Sequence, residues 1–322
     1  MFHLEQLSMK KPVFLATLMM LLWQAAPLRA QLYPPNEAGV SLGAWHTIVR
    51  DVDKTTKWWE LWGGKPMKID GVDVMKFHGV FIFMHKGEPN GPSIDHFMDH
   101  IAFQTANGFE LLKKLTDAGV RTDELNLETM RSPRWKPGSD QRTWTYTYSP
   151  DGLRVEVETK EGPEWATTQE ASQKDFMTTV SSDMIHMYFK DLAALRASYK
   201  FYKTYFGGVA LPDANINLHI PGTKLNYATD TGRPEEGAVP FKTGEVKIRT
   251  KGVPRPANRG SALDYIGFEV VNLPDFVKRL EKEAGVKFDE PYSTTRHKGY
   301  ASAMFTGPGG ESVELTEGLR KF

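Results

Sequence analysis

The chain repeats itself, and the repeat limits its possible folds more than any other feature. Two segments match, Trp45-His46-Thr47-Ile48-Val49-Arg50-Asp51 and Ile185-His186-Met187-Tyr188-Phe189-Lys190-Asp191. Each reads as a short strand closed by an Asp, followed by an aromatic-rich helix that stops at a glycine pair. The helices carry Trp58, Trp59 and Trp62 in the first copy, and Tyr199, Tyr202, Tyr205 and Phe206 in the second. They stop at Gly63-Gly64 and Gly207-Gly208, where glycine takes the left-handed conformation that ends a helix. A second type of unit begins at Asp99-His100-Ile101-Ala102-Phe103 and again at Asp264-Tyr265-Ile266-Gly267-Phe268. Each runs through a helical pattern, leaves it by Ala-Gly-Val, and reaches a turn rich in Pro and Gly before a strand carrying a glutamate. Those turns are Ser149-Pro150-Asp151-Gly152, before Glu156, and Gly307-Pro308-Gly309-Gly310, before Glu314.

The units alternate as A-B-A-B, near 41–90, 97–160, 181–230 and 261–318. A strand, a helix and three more strands make a βαβββ module, an α+β unit whose open sheet needs a second module to complete it. The polar, aperiodic stretch 161–182 reads as a linker. The spacing therefore predicts two domains, 41–160 and 183–319. Consecutive modules are expected to enclose one cleft per domain, and the halves 31–165 and 181–322 to fold separately.

Charge and cysteine content narrow the chemistry. Forty basic residues balance forty acidic ones, so no net field holds nucleic acid or an anionic membrane, and a small molecule is the expected partner. With no cysteine there is no thiol nucleophile, disulfide or iron–sulfur cluster. At the N-terminus, Lys10 and Lys11 precede an apolar run from Val13 to Ala26 that Pro27 and Arg29 close. The run is shorter than the roughly 20 residues that span a bilayer. Residues 1–30 are read as a signal peptide cleaved after Ala30, giving a secreted or periplasmic protein with no remaining membrane segment.

The order strand-Asp-aromatic helix-Gly-Gly, then Asp-His-Ile-Ala-Phe, Ala-Gly-Val and Pro-Asp-Gly-Leu-Arg-Val-Glu, resembles the paired modules of the vicinal oxygen chelate superfamily. That superfamily holds glyoxalases, extradiol dioxygenases and bleomycin-resistance proteins, and the resemblance covers nearly all of 41–318. It implies a divalent metal held by a His on the first strand of one module, a His on the first strand of the next, and a Glu on that module's last strand. Carried over, His100 and Glu156 fit two of these positions. The third falls on Ala44, but alternate residues of a strand share a face, so His46 points the same way. Glyoxalase-like members add a second carboxylate, whose place falls near Ile82, where there is none.

Two imidazoles and one carboxylate leave coordination positions open, as in non-haem Fe(II) oxygenases. The resemblance thus favours Fe2+ in a dioxygenase-like site, with Ni2+, Zn2+ or Mn2+ as alternatives. In the second half His186 and Glu314 repeat the pattern as a weaker set. Tyr265 replaces the middle histidine there, and a phenol of pKa about 10 is a poor ligand near neutral pH. His297 stands somewhat like the acid–base histidine of extradiol enzymes.

The remaining candidates carry alternative readings. The aromatic stripes of the helices are core. Trp144, Tyr146 and Tyr148 share one strand face, which is either the cleft or the helix-packing side. Trp135 is placed near the cleft, and Arg131 and Arg134 are either carboxylate-binding or ordinary loop charges. His85 reads as a solvated loop residue that a small shift in alignment would turn into a fourth ligand. His78, His96 and His219 read as loop or surface residues. The expectation is a secreted, metal-dependent enzyme acting on a small oxygenated molecule, aromatic in the dioxygenase case. A glyoxalase-like lyase or isomerase, or a metal-free small-ligand binder like the bleomycin-resistance proteins, are the alternatives.

Overall fold

The computed structural model describes residues 32–105, 108–123, 143–159, 180–211, 216–229 and 254–322. The first module runs β1 (Val40–Val49), α1 (Val52–Leu61), β2 (Lys65–Ile69), β3 (Val72–Phe77) and β4 (Val80–Lys86). The second has β5 (Met98–Thr105), α2 (Gly108–Asp117), β6 (Thr143–Tyr148) and β7 (Arg154–Thr159). In it, Thr122 bridges to Thr147 of β6 where the remaining strand of the module would stand. The third comprises β8 (Ser181–Phe189), α3 (Leu192–Tyr205), β9 (Val209–Ala210), β10 (Ile216–Ile220) and β11 (Thr223–Thr229). The fourth comprises β12 (Tyr265–Val270), α4 (Leu273–Arg279), β13 (Phe288–Ser293), β14 (Ala301–Thr306) and β15 (Ser312–Glu317).

The Asp that closes each A-type strand is a helix cap. Asp51 accepts a bond from the Lys54 amide at 3.0 Å, and Asp191 one from the Ala194 amide at 2.8 Å, each satisfying a first-turn N–H that has no helical partner. At the other end Gly63 and Gly207 have φ of 90° and 67°, the left-handed conformation expected there. In every module the last strand runs parallel to the first and beside it: β1 with β4, β5 with β7, β8 with β11, and β12 with β15.

The pairing of modules departs from the expectation. One eight-stranded sheet has the order β13-β14-β15-β12-β1-β4-β3-β2, and one seven-stranded sheet the order β6-β7-β5-β8-β11-β10-β9. The first module thus joins the fourth through antiparallel β1 and β12, and the second joins the third through β5 and β8. Consecutive modules do not share a sheet, so the clefts are not divided between 41–160 and 183–319. A cut in 160–182 would leave each half-sheet without its partner.

Consecutive modules pack instead through their helices. Trp59 of α1 and Trp62, just past its end, lie 5.6 and 5.8 Å from Phe103 of β5, and Phe206, at the end of α3, lies 5.1 Å from Phe268 of β12. The turns add polar ties. Asp151 accepts from Thr55 of α1 at 3.0 Å, and Glu311 accepts from the Tyr202 hydroxyl of α3 at 2.6 Å. The result is a large apolar core shared by all four modules, with Trp58, Trp59, Trp62, Tyr202 and Phe206 buried in it and Tyr199 and Tyr205 packed against it. The segments entering β5 and β12 also bind each other. Asn258 donates to the Met98 carbonyl at 2.7 Å and accepts from its amide at 2.6 Å.

Candidate functional site

Each sheet carries one polar cluster at the seam where its two modules meet. In the seven-stranded sheet, His100 of β5 stands directly opposite His186 of β8, with ring centroids 4.9 Å apart. Ala102 pairs with Glu156 on β7, which places the carboxylate one strand over and on the same face. Glu156 Oε2 lies 2.9 Å from His100 Nε2. All three side chains are buried. The face continues with Tyr146, whose ring meets His100 at 5.0 Å, and Tyr188, stacked on His186 at 4.6 Å. Tyr146 therefore settles which way that side of β6 turns: toward His100 and its neighbours.

On the other side of its ring, His100 contacts Asp99 Oδ1 through Nδ1 at 2.6 Å. Burial works against charge on the imidazole, but the bonds to Asp99 and Glu156 outweigh it and raise the His100 pKa. Burial also opposes ionisation of Asp99, yet Arg154, His100 and Arg255 together hold its carboxyl well below the usual range. Lys224 and Asp183, a buried ion pair at 3.1 Å, extend the polar surface of this sheet.

In the eight-stranded sheet, His46 of β1 faces Tyr265 of β12 across the seam, the rings 3.9 Å apart. Its Nε2 lies 3.0 Å from Glu314 Oε2 on β15, and its Nδ1 lies 3.0 Å from Nε2 of His85 on β4. His297, in the loop between β13 and β14, stands 3.3 Å from Asp70 and 3.7 Å from Glu314. Burial pushes His46 well below its ordinary pKa and His85 down to about 4, and it pushes Glu314 up to about 7. Burial thus favours the neutral forms of His46 and His85 beside a carboxyl that is drawn toward its protonated form.

The proposed ligands therefore regroup. His100 and Glu156 come together, as read from the sequence, but the second histidine beside them is His186 and not His46. His46 belongs with Glu314 in the other sheet, because β1 pairs with β12 rather than with β5. His85 is a strand residue aligned with Ile48 and turned to His46, where a solvated loop position was expected, while Ile82 lies in the core. His219 is buried in β10 opposite Lys224 rather than on the surface. Asp99 was read only as part of a repeated motif. Arg131, Arg134 and Trp135, the side chain of Trp144 and residues 1–30, expected to be a signal peptide, lie outside the described residues.

For a divalent ion, the donors of the seven-stranded sheet are of the right chemical type. His100 Nε2 is buried and faces Glu156 Oε2 at 2.9 Å, and a second imidazole lies opposite. Two histidines and a carboxylate suit Fe2+, Zn2+, Ni2+ or Mn2+. Among the described residues, no three His, Asp or Glu side chains already converge as a ligand cage. The donors thus share a face without being drawn to a common point.

No protein-family description and no curated protein sequence matches this chain. Solved structures do. Glyoxalase I from Zea mays superposes with a TM-score of 0.54 at 16% identity, covering 88% of this chain and 94% of the maize chain. A point mutant of the same maize enzyme gives 0.55 at 15% identity, over 88% and 95% of the two chains. A "putative dioxygenase" from Bacillus subtilis gives 0.55 at 11% identity, over 89% of this chain and 86% of the other. Identities this low carry the fold alone. This chain therefore shares the fold of the maize glyoxalase I and Bacillus structures over nearly nine-tenths of its length.

Proposed function

We propose that the seam of the seven-stranded sheet is the active site of an exported, metal-dependent enzyme acting on a small oxygenated molecule. The observation that carries this reading is the placement of His100, His186 and Glu156 on adjacent strands, buried, on one face, with His100 Nδ1 engaged by Asp99 and Nε2 turned to Glu156. His100, His186 and Glu156 would hold the ion, and a divalent ion bound there acts as a Lewis acid toward adjacent substrate oxygens. Three protein donors leave positions for substrate, the arrangement of non-haem Fe(II) oxygenases. Tyr146 and Tyr188 pack against His100 and His186 and give the donors an aromatic surround. Ring-opening oxygenation of a dihydroxyaromatic compound is the reaction this set supports best.

The cluster around Glu314 favours a different role for the other sheet, metal-free binding or proton exchange, because His46 Nδ1 and His85 Nε2 already engage each other. The test is anaerobic loading of the mature protein with Fe2+, followed by oxygen uptake with catechol as probe. Catechol-dependent uptake that stops in Glu156→Ala is expected. Stoichiometric Fe2+ binding without uptake, together with isomerisation of a hemithioacetal probe, would replace oxygenation by the lyase reading.

A further inference from the structure

We infer that Asp99 is the positioning residue of this site, and that with Arg154 and Arg255 it fixes which nitrogen of His100 faces the ligand. The inference rests on the metal-site reading above and deepens it. Along a regular strand, neighbouring residues point to opposite faces, so Asp99 and His100 should not meet. They meet because β5 carries a bulge. Met98 pairs with Met187 and His100 with His186, so two steps on β5 oppose one on β8, and Asp99 is the extra residue. A bulge of this kind costs ladder bonds and re-aims a side chain.

The Asp99 carboxylate is held from all sides. Oδ1 accepts from Arg154 at 2.8 Å and contacts His100 Nδ1 at 2.6 Å. Oδ2 accepts from Arg255 at 2.7 Å and from the Asp95 amide at 3.2 Å. Each guanidinium lies over an aromatic ring beside the cluster, Arg154 at 3.4 Å from the Tyr146 centroid and Arg255 at 3.6 Å from that of Tyr188. These two rings are the ones that contact His100 and His186.

The consequence for His100 follows from the inventory of its ring. An ionised carboxylate only accepts, so Nδ1 must carry a hydrogen toward Asp99, and Nε2 is the nitrogen left to act as a ligand. The repeat supplies an internal comparison. Asp264 occupies the same motif position before Tyr265, but its carboxylate accepts from the Gly260 amide at 2.7 Å and lies 3.5 Å from Arg259. The aspartate is turned onto its neighbour in the module that has a histidine there, and onto the backbone in the module that has a phenol.

The test uses the full mature chain, labelled with 15N-histidine, and Zn2+ as a diamagnetic probe. In the unaltered protein, His100 Nδ1 should carry its proton before and after Zn2+ addition, and only the Nε2 resonance should move to the liganded range. Asp99→Asn should weaken Zn2+ binding by about 10- to 100-fold, with unchanged far-UV circular dichroism. Zinc bound by the unaltered protein with Nδ1 unprotonated overturns this inference while leaving the metal site standing, as does equal affinity in the folded Asp99→Asn chain. No zinc uptake at all overturns the metal reading and this inference with it. Should Asp99→Asn fail to fold, the resonances of the unaltered protein decide the matter alone.

Discussion

Glu311 is an ionisable side chain enclosed in the core, and it shows what burial costs a single residue. It accepts from the Tyr202 hydroxyl at 2.6 Å and from the Gly309 amide at 2.9 Å, but among the described residues no cation is one of its hydrogen-bond partners. Burial raises its pKa from 4.5 to about 7. A carboxyl whose folded pKa is raised adds stability that is complete below its unfolded value and is lost as pH rises through the folded one. The wild type should therefore lose stability between pH 4.5 and 7 through this group. One pKa unit corresponds to about 1.4 kcal/mol, so Glu311→Gln should gain about 1–3 kcal/mol relative to wild type on going from pH 5 to pH 8 in urea titrations. Parallel curves for the two proteins would show that Glu311 titrates normally. At this scale the motif singled out His100 and Glu156, which the fold brings within 2.9 Å of each other, but nothing in the sequence marked Asp99 or Glu311. Their roles come from a bulge and an enclosure that side-chain identity does not encode.

Elements were the most legible level. Asp51 and Asp191 close strands and open helices in both copies, and the glycine pairs stop those helices, so local chemistry and fold agree. Asp191→Ala should remove the cap of α3 at a cost of about 1 kcal/mol. For a chain of this size that lowers Tm by roughly 2–4 °C. An unchanged Tm would mean that the α3 N-terminus is satisfied in another way. What local pattern did not disclose was the bulge in β5 and the placement of His85 within β4. A one-residue difference in register sends a side chain to the other face, and periodicity read over a short window does not resolve it.

At the scale of the whole molecule, the modules were counted correctly and paired wrongly. Every module offers the same kind of first-strand edge, so consecutive and crossed pairings present identical strand patterns. The choice lies in packing that no local window contains: Trp59 and Trp62 on Phe103, Phe206 on Phe268, and Asn258 gripping Met98. That choice decides which side chains meet, because it moves His186 beside His100 and Glu156 and carries His46 away to Glu314. The two halves of the chain therefore contribute to the same site. Metal content of four alanine variants, measured by elemental analysis after loading with a single equivalent of Fe2+, tests this most directly. His100→Ala, Glu156→Ala and His186→Ala should each lose the ion, and His46→Ala should keep it. Retention by His186→Ala with loss from His46→Ala would contradict the crossed site and return the ligands to the N-terminal half.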